Sequence, residues 1–246
     1  MRRPMRVALL PDVHAPYHHV KNFRLALKAF KDWKPDMLFV MGDFGDWDSV
    51  SSFPKKRERR LLYREEVPLV VADLGEVDGV PTPKGKVFLM GNHEERVAAA
   101  IARHAPMFTG AVDVATDMGF PRKGWEWVDY GKEYRLGELL LTHDVGRSGV
   151  NVARQQLVDT GDNIACGHSH RLQVVYGGQA FGHVHVSASL GWLGDPDAIT
   201  YKHRVMVQRE FVHGVGTVLV QPDGTFFLRA HPIVKGALEI DGKVYR

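Results

Sequence analysis

Residues 9–14 read LLPDVH, and the prediction of the fold starts from this stretch. The apolar run 6–10 is short and bounded by polar residues, as buried strands of α/β proteins are. A carboxylate and an imidazole, Asp12 and His14, follow as soon as the run ends. The stretch therefore predicts a buried strand that leads directly into chemically active side chains.

The same pattern recurs further along the chain. Strands are predicted at 37–41, 87–90, 139–141 and 163–166. They run into the polar clusters FVMGDFGD at 39–46, FLMGNHEE at 88–95, LLTHD at 140–144 and IACGHSH at 164–170. Apolar residues at steps of three and four predict helices at 21–33, about 59–77 with Pro68 inside, 94–104 and 149–160. This alternation of strands and helices predicts an α/β fold.

The last third of the chain has a different pattern. Its β-branched and aromatic runs predict strands at 172–176, 181–188, 205–211, 217–220 and 225–230. Asp-Gly pairs at 223–224 and 241–242 predict hairpin turns. Because no repeat or linker separates the two parts, one domain over 1–246 is predicted. The irregular stretches 106–127 and 192–203 are expected to wall a pocket.

Composition excludes several classes of protein. With 44% hydrophobic and 25% charged residues among 246, the chain resembles neither a disordered nor a membrane-spanning protein, and no membrane partner is expected. The formal net charge of +3 does not favour a nucleic-acid partner, although it does not exclude one. The single cysteine, Cys166, excludes an internal disulfide, and the apolar run near the N-terminus is too short for an export signal. We therefore expect a cytoplasmic protein.

The five polar clusters predict one site. Ligands of α/β sheets bind at the carboxyl ends of strands, so the clusters should converge although they are distant in sequence. Each cluster taken alone is better explained by a structural role, but all five together are not. Imidazole, carboxylate and amide donors suit Mn, Fe, Zn, Co or Ni better than Ca or Mg, and the set is large enough for two metals about 3.5–4 Å apart. The predicted ligands are Asp12, His14, Asp43, Asn92, His143, His168 and His170.

These residues resemble the five motifs of the calcineurin-like metallophosphoesterases. The resemblance rests on DVH at 12–14, GDFGD at 42–46, GNHE at 91–94, His143 and GHSH at 167–170, which together span about two thirds of the chain. It implies a four-layer α/β/β/α sandwich, in which helices flank two mixed sheets. It also implies in-line attack on phosphorus by a hydroxide held between two divalent metal ions, of which manganese is the first expectation.

The resemblance also implies individual roles. Asp43 would bridge the two metals, and His93 would act as general acid or oxyanion stabiliser, oriented by Asp46. The first metal would be held by Asp12, His14 and His170, and the second by Asn92, His143 and His168.

One position departs from the pattern of the protein Ser/Thr phosphatases in this superfamily. Those enzymes continue GDxxD with Arg-Gly, whereas here Trp47 and Asp48 follow Asp46. Arg96 is a candidate substrate-binding residue that could replace the missing arginine, or it could be a solvated side chain. The change moves the expected substrate away from phosphoproteins, toward phosphodiesters and small phosphorylated molecules.

Other polar features have structural explanations that compete with functional ones. The alternating pair His183 and His185 is interpreted as structural or as lying behind the site, with a place for one of them in the wall of the substrate pocket as the alternative. Cys166 is interpreted as a buried, inert thiol. His18 and His19 could touch the substrate or simply form a polar turn. A basic run is interpreted as a solvated face, with nucleic-acid binding as the alternative; it comprises Lys55, Lys56, Arg57, Arg59 and Arg60.

The leading functional prediction is a metal-dependent phosphoesterase acting on a small phosphate ester, with small nucleotides, including cyclic ones, as the first class to test. A nuclease using the same centre is one alternative, and a non-catalytic scaffold with this fold is another. The retained ligand set and His93 argue against the scaffold, because His93 is not needed merely to hold metal.

Overall fold

The structure is a computed structural model, which describes residues 3–52, 61–178, 184–198 and 210–246. The first half alternates strands with helices, as predicted. Its elements are β1 Met5–Leu10, α1 Val20–Trp33, β2 Met37–Val40, α2 Tyr63–Asp78, β3 Lys86–Leu89 and α3 Asn92–His104. The middle of the chain contributes α4 Val114–Asp117, β4 Trp125–Val128, β5 Tyr134–Leu136, β6 Leu139–Leu141, α5 Val152–Thr160 and β7 Ile164–Cys166.

The remainder is strand-rich, in agreement with the sequence pattern. It contains β8 Leu172–Gly178, β9 Val184–Leu190, β10 Gly214–Val220, β11 Phe226–Val234, β12 Ala237–Ile240 and β13 Lys243–Tyr245. These strands complete two sheets. The larger has the order β13-β12-β11-β10-β1-β2-β3-β4, and the smaller β5-β6-β7-β9-β8. Both sheets are mixed, because β1 to β4 are parallel while β10 is antiparallel to β1, and β6, β7 and β9 are parallel between antiparallel edges.

Alternation along β1 explains the layers. Val7 and Leu9 join an apolar cluster with Leu141 and Leu190 of the smaller sheet, so this face lies between the sheets. Ala8 and Leu10 point to the opposite face, where they pack in the cluster that holds the apolar side of α1. Helix α5 packs on β8 and β9 at the other side of the molecule. The predicted fold of two mixed sheets flanked by helices is confirmed.

Helix α1 shows why the sequence pattern was informative. Phe23, Leu27, Phe30 and Trp33 recur at helical spacing and are all buried, and His19 caps the first turn by accepting from the backbone of Asn22. Helix α2 continues through Pro68, so this proline does not divide it. None of the helices in the described part of the chain is long and apolar enough to cross a membrane.

Some sequence-based expectations were wrong. The stretch 106–127 does not wall the pocket beside the metal centre described below; it contains α4 and the start of β4, and Met118 and Phe120 are core residues. Apolar side chains of this stretch pack in the core cluster that includes residues of the helices, and the sequence alone did not reveal this packing. Of the strand predicted at 205–211, residues 205–209 lie outside the described residues, and Glu210 and Phe211 are not in a strand. The Asp241-Gly242 turn does join β12 to β13.

Helix α2 carries a buried acid that should make stability depend on pH. Burial raises the pKa of Glu66 to about 7, although its carboxylate accepts a hydrogen bond of 2.5 Å from the hydroxyl of Ser49. An acid whose pKa is raised by folding stabilises the protein while it is protonated, so stability falls as pH rises through the folded-state pKa. Between about pH 5 and 7.5, thermal unfolding should shift down more for the wild type than for Glu66→Gln.

The exposed carboxyl of Glu133 provides the matched control. Glu133→Gln should leave the pH dependence of the wild type unchanged. Identical pH profiles for wild type and Glu66→Gln would show that Glu66 does not titrate in this range.

Candidate metal centre

The carboxyl ends of strands from both sheets meet at one place. Asp12 follows β1, Asp43 follows β2, and Asn92 follows β3. His143 and His168 follow β6 and β7 of the smaller sheet. Because these strands are parallel within their sheets, their ends lie at a common edge, and the structure brings together all seven residues predicted as ligands.

The backbone at these positions is unusual. Asp12, His14, Asp43, His168 and His170 all have positive φ, between 39° and 64°. Non-glycine residues rarely adopt this left-handed conformation, which costs of order 1–2 kcal/mol each. Such a concentration of five residues at three strand ends is typical of a functional site, where surrounding contacts hold the backbone in place.

Glycines let the strand ends approach closely. A Cβ atom on Gly91 would overlap the backbone nitrogen and carboxylate of Asp43, and one on Gly167 would overlap the carboxylate of Asp12. The glycines of the GNHE and GHSH clusters are therefore required by the packing of one loop against another.

Glu94 ties the loop after β2 to the loop after β3. Its buried carboxylate accepts hydrogen bonds from the backbone N–H groups of Gly91 (2.9 Å), Asp43 (3.0 Å) and Gly45 (2.9 Å). The bond to Gly91 also caps the start of α3. The sequence analysis assigned no role to Glu94, although an acid three residues after the start of a helix is a known capping signal.

The first group of donors surrounds Asp12. Donor atoms of Asp12, His14, Asp43 and His170 lie within 4.8 Å of one another, and all four residues are buried. Nε2 of His14 is 3.0 Å from Nε2 of His170, which in turn is 3.6 Å from the carboxylate of Asp12. The backbone N–H of His168 donates to both carboxylate oxygens of Asp12, at 2.8 and 3.0 Å, and orients that side chain.

The second group shares Asp43 with the first. Donor atoms of Asp43, His143 and His168 also lie within 4.8 Å of one another. The amide oxygen of Asn92 is 3.0 Å from Nε2 of His143 and 2.8 Å from Nδ1 of His168. Since Asp43 belongs to both groups, the arrangement has room for two cations with a shared carboxylate.

The electrostatics of the cluster fit a divalent cation. Burial raises the pKa of Asp12 well above its ordinary value, because an ionised carboxylate with no cation beside it is costly there. Burial lowers the pKa of His14, and lowers that of His170 to about 3, so both imidazoles are neutral and offer lone pairs. Burial alone would also lower the pKa of His143, but the carboxylate of Asp43 raises it to about 10. Positive charge is therefore favoured beside Asp43.

His143 has a defined orientation for binding. Its Nδ1 lies 2.8 Å from the carbonyl oxygen of Met41, and a carbonyl can only accept, so Nδ1 carries the proton. A cation bound there would replace the second proton, on Nε2, and take up its lone pair, which faces Asn92 and Asp43. Metal-binding histidines are commonly held in this way.

His93 is held against Asp46 by two contacts. Nδ1 of His93 is 2.9 Å from the backbone carbonyl of Asp46 and 3.2 Å from its carboxylate. Nε2 is 3.7 Å from Asp43, at the edge of the donor cluster. The main orienting contact therefore comes from the backbone of Asp46, with its side chain as a second partner.

A cavity of about 410 Å³ opens beside the two groups. Asp43, Asn92, His93, His168 and His170 contribute to its wall. Arg96 also lines it, and Nη1 of this arginine donates to the carbonyl of Asp46 at 3.3 Å. Arg96 is thus a partly buried residue of the cavity wall. The remaining lining residues, Ser148, Ser169, Arg171 and Phe211, were not identified from the sequence.

Trp192 was expected only as part of a loop beside the pocket. It is buried and its ring stacks on His170, with ring centres 4.8 Å apart, while Phe211 packs edge-on against both rings. This aromatic packing restricts the orientation of His170. The aromatic character of position 192 was visible in the sequence, but its contact with a residue 22 positions earlier was not.

Other residues considered from the sequence lie away from these groups. His18 is buried against Phe23, with Nδ1 3.6 Å from Asp73, and His19 caps α1, so both have structural roles. His185 lies on β9 outside the donor groups. Burial raises the pKa of Cys166, in keeping with the predicted inert thiol. The basic run at 55–60 and His183 lie outside the described residues.

Two mixed sheets flanked by helices, with acids and imidazoles gathered at the strand ends, define the metallophosphoesterase class of proteins. The sequence profile of the calcineurin-like phosphoesterases matches residues 5–231, and the chain belongs to this family. No curated protein sequence matches the chain significantly.

Solved structures similar to this chain include proteins of different kinds. A single mutant of Vps29 from Entamoeba histolytica has 11% sequence identity and a TM-score of 0.47, covering 96% of both chains. YfcE, a phosphoesterase from E. coli, has 17% identity and a TM-score of 0.43, covering 92% of this chain and 99% of its own. The nuclease MPE from Pseudomonas putida has 13% identity and a TM-score of 0.38, covering 91% and 87%. Identities this low carry no information on substrate.

Proposed function

We propose that this protein is a divalent-metal-dependent phosphoesterase that hydrolyses phosphodiesters or phosphomonoesters of small nucleotides, cyclic ones included. The observation that carries the proposal is the pair of donor groups that share Asp43 and open into a cavity lined by His93. The membership of the chain in the calcineurin-like phosphoesterase family supports it.

The donor set is compatible with two bound metal ions. Asp12, His14 and His170 would hold one ion, and Asn92, His143 and His168 the other, with Asp43 between them. The mixture of imidazole with oxygen donors makes manganese the first metal to test, with iron, zinc, cobalt and nickel as alternatives. When bound, such ions activate water and neutralise the charge that develops on the phosphoryl oxygens.

The protein's own side chains would complete the reaction. A phosphate ester in the cavity would lie between Asp43 and Arg96. The guanidinium of Arg96 would bind a phosphoryl oxygen, in place of the arginine that is missing at Trp47. His93, with its proton on Nδ1 held by Asp46, would present Nε2 to the leaving oxygen. Delivery of a proton to that oxygen requires His93 to be protonated at Nε2 as well.

Burial of Trp47 supports an ester smaller than a phosphoprotein. This residue stands where the protein phosphatases of the superfamily have arginine, and its ring is buried against Tyr63. Trp47 therefore offers no charge to a bound phosphate. In the described wall of the cavity, the arginines are Arg96 and Arg171. Arg171 is committed to an ion pair with Glu210, at 2.6 Å.

Removal of metal tests the proposal. The protein freed of metal should not hydrolyse an aryl phosphodiester or an aryl phosphomonoester, and addition of Mn, Ni, Co, Zn or Mg should restore hydrolysis to different extents. Asp43→Ala should reduce kcat/KM by on the order of 10³-fold or more with every metal, because it removes the carboxylate common to both donor groups. The ratio of diester to monoester hydrolysis then defines the substrate class.

The scaffold alternative makes the opposite prediction. A wild type that binds two equivalents of metal, measured by elemental analysis, but hydrolyses neither ester with any metal would contradict the proposal.

A further inference from the structure

A second cavity adjoins the metal centre. It has a volume of about 500 Å³ and meets the first cavity at Arg96, which lines both. Its wall is formed on one side by α3 and on the other by residues around Ser49 to Ser52. This cleft is not used in the proposed reaction at the metal centre.

The spacing of residues on α3 aligns the cleft with the centre. His93, Arg96, Ala100 and Arg103 lie three, four and three residues apart, so they form one stripe along the helix. With a rise of 1.5 Å per residue, the stripe extends about 15 Å from His93 to Arg103. Ala99 and Ala100 have small side chains, which leave the space above this part of the helix open.

The charge of the cleft is positive. Arg96 and Arg103 both line it, His104 lies at its far end, and none of the described residues that line it is acidic. Hydroxyl groups of Ser51 and Ser52 lie on the opposite wall. Basic residues at the end of a helix also stabilise its macrodipole, but this does not explain Arg96 in the second turn or the open space between the two arginines.

None of the described residues that line the cleft is phenylalanine, tyrosine or tryptophan. Apart from the imidazole of His104 at the far end, its described wall therefore offers no ring for base stacking, the usual means of holding single-stranded bases. Guanidinium groups bind phosphate well, and the two arginines offer contacts at two points along the cleft.

We propose that this cleft binds phosphates of the substrate beyond the scissile one. Among the nucleotide esters of the proposed function, a short single-stranded oligonucleotide read through its phosphates is therefore preferred over a mononucleotide. This rests on the proposed function, because it takes the metal centre as the place where the chain is cut. Since the contacts are to phosphates, hydrolysis should not depend on base sequence. Since the stripe ends at Arg103, affinity should stop increasing once the substrate reaches that residue.

A series of oligothymidylates with one to six phosphates tests the proposal. For the wild type, kcat/KM should rise by roughly tenfold over the first phosphates added and then remain constant. Arg103→Gln should remove most of that rise through a three- to tenfold higher KM, with roughly unchanged kcat. It should also lower the slope of log KM against log salt concentration by about 0.7, the value for one phosphate contact on a single strand.

A control separates charge in the cleft from overall charge. Lys123 is exposed and precedes β4. Because β4 is parallel to β3, its start lies at the end of the sheet opposite the metal centre. Lys123→Gln should leave both the length dependence and the salt slope at wild-type values.

The outcomes distinguish this inference from the proposed function. Suppose that the protein hydrolyses an aryl phosphodiester, but that kcat/KM for oligothymidylates does not depend on their length, or depends on it equally in Arg103→Gln. Either result would overturn the proposed role of the cleft and leave the proposed function intact. Continued growth of kcat/KM through six phosphates would overturn the limit at Arg103. Anisotropy of a fluorescein-labelled oligothymidylate tests binding without turnover: equal Kd for wild type and Arg103→Gln would overturn the cleft even in an inactive protein.

Discussion

Substitution of His93 by alanine should reduce kcat by about 10²- to 10⁴-fold while leaving two equivalents of metal bound. The reason is geometric: Nδ1 of His93 is held by Asp46, and the ring lines the cavity beside the donor groups. If the residue donates a proton to the leaving oxygen, the loss should be greater for an alkyl ester than for a p-nitrophenyl ester, whose leaving group needs less assistance. Steady-state kinetics on both esters, with elemental analysis of the same samples, measures this.

The same residue could instead be a metal ligand. Its donor atom lies within 4.8 Å of those of His14 and Asp46, so loss of metal in parallel with activity would contradict the catalytic role. Asp46→Asn provides the graded comparison. Because the backbone carbonyl of Asp46 provides the shorter contact to His93, this variant should lose about 10- to 100-fold, less than His93→Ala.

Substitution of Glu94 by glutamine should destabilise the fold and weaken the site together. Its carboxylate accepts three backbone N–H groups from the loops after β2 and β3, and an amide of the same size has only one accepting oxygen. Loss of one or two such charge-assisted bonds, with an N–H group of the amide facing a backbone donor, should lower the free energy of unfolding by about 3–5 kcal/mol. Chemical denaturation of the metal-free protein measures this independently of ligand binding.

The neighbouring acid is the matched control. Glu95 lies on the same helix and is only partly buried, so Glu95→Gln should change the free energy of unfolding by less than about 0.5 kcal/mol. Metal affinity should fall in Glu94→Gln because the loops carrying Asp43 and Asn92 are no longer tied together. A Glu94→Gln protein as stable as Glu95→Gln would show that backbone contacts other than these three hold the loops.

Much of the fold was predictable because its signals are local. The run that forms β1 is apolar on both faces, since Val7 faces the smaller sheet and Ala8 the helices, and such a buried strand is recognised from five or six residues. Helix α1 was predictable from a signal that is equally local, because its apolar residues recur at helical spacing. Strand β4 was missed because it has only four residues, of which Glu126 alone is polar, too few for a distinct period.

The site also has features that the sequence revealed and features that it did not. The residue types that could hold metal were readable from the sequence, because each cluster consists of a strand end and the few residues after it. The role of Glu94 was not, because its partners Asp43 and Gly45 are 51 and 49 residues away. Nor could the sequence show that the backbone of Asp46 orients His93, or that Trp192 stacks on His170.

The sequence by itself therefore determined the α/β class and the chemistry of the donor set, since both depend on patterns a few residues long. The layering of two sheets was implied only by the resemblance to the phosphoesterase motifs. Only the tertiary structure decided which donors share Asp43, which proton His93 and His143 carry, and that Arg96 connects the metal centre to the cleft ending at Arg103. The physical reason is that these properties depend on distances of a few ångströms between segments far apart in the chain. Those distances are set by the packing of the two sheets and of α3 against the larger one.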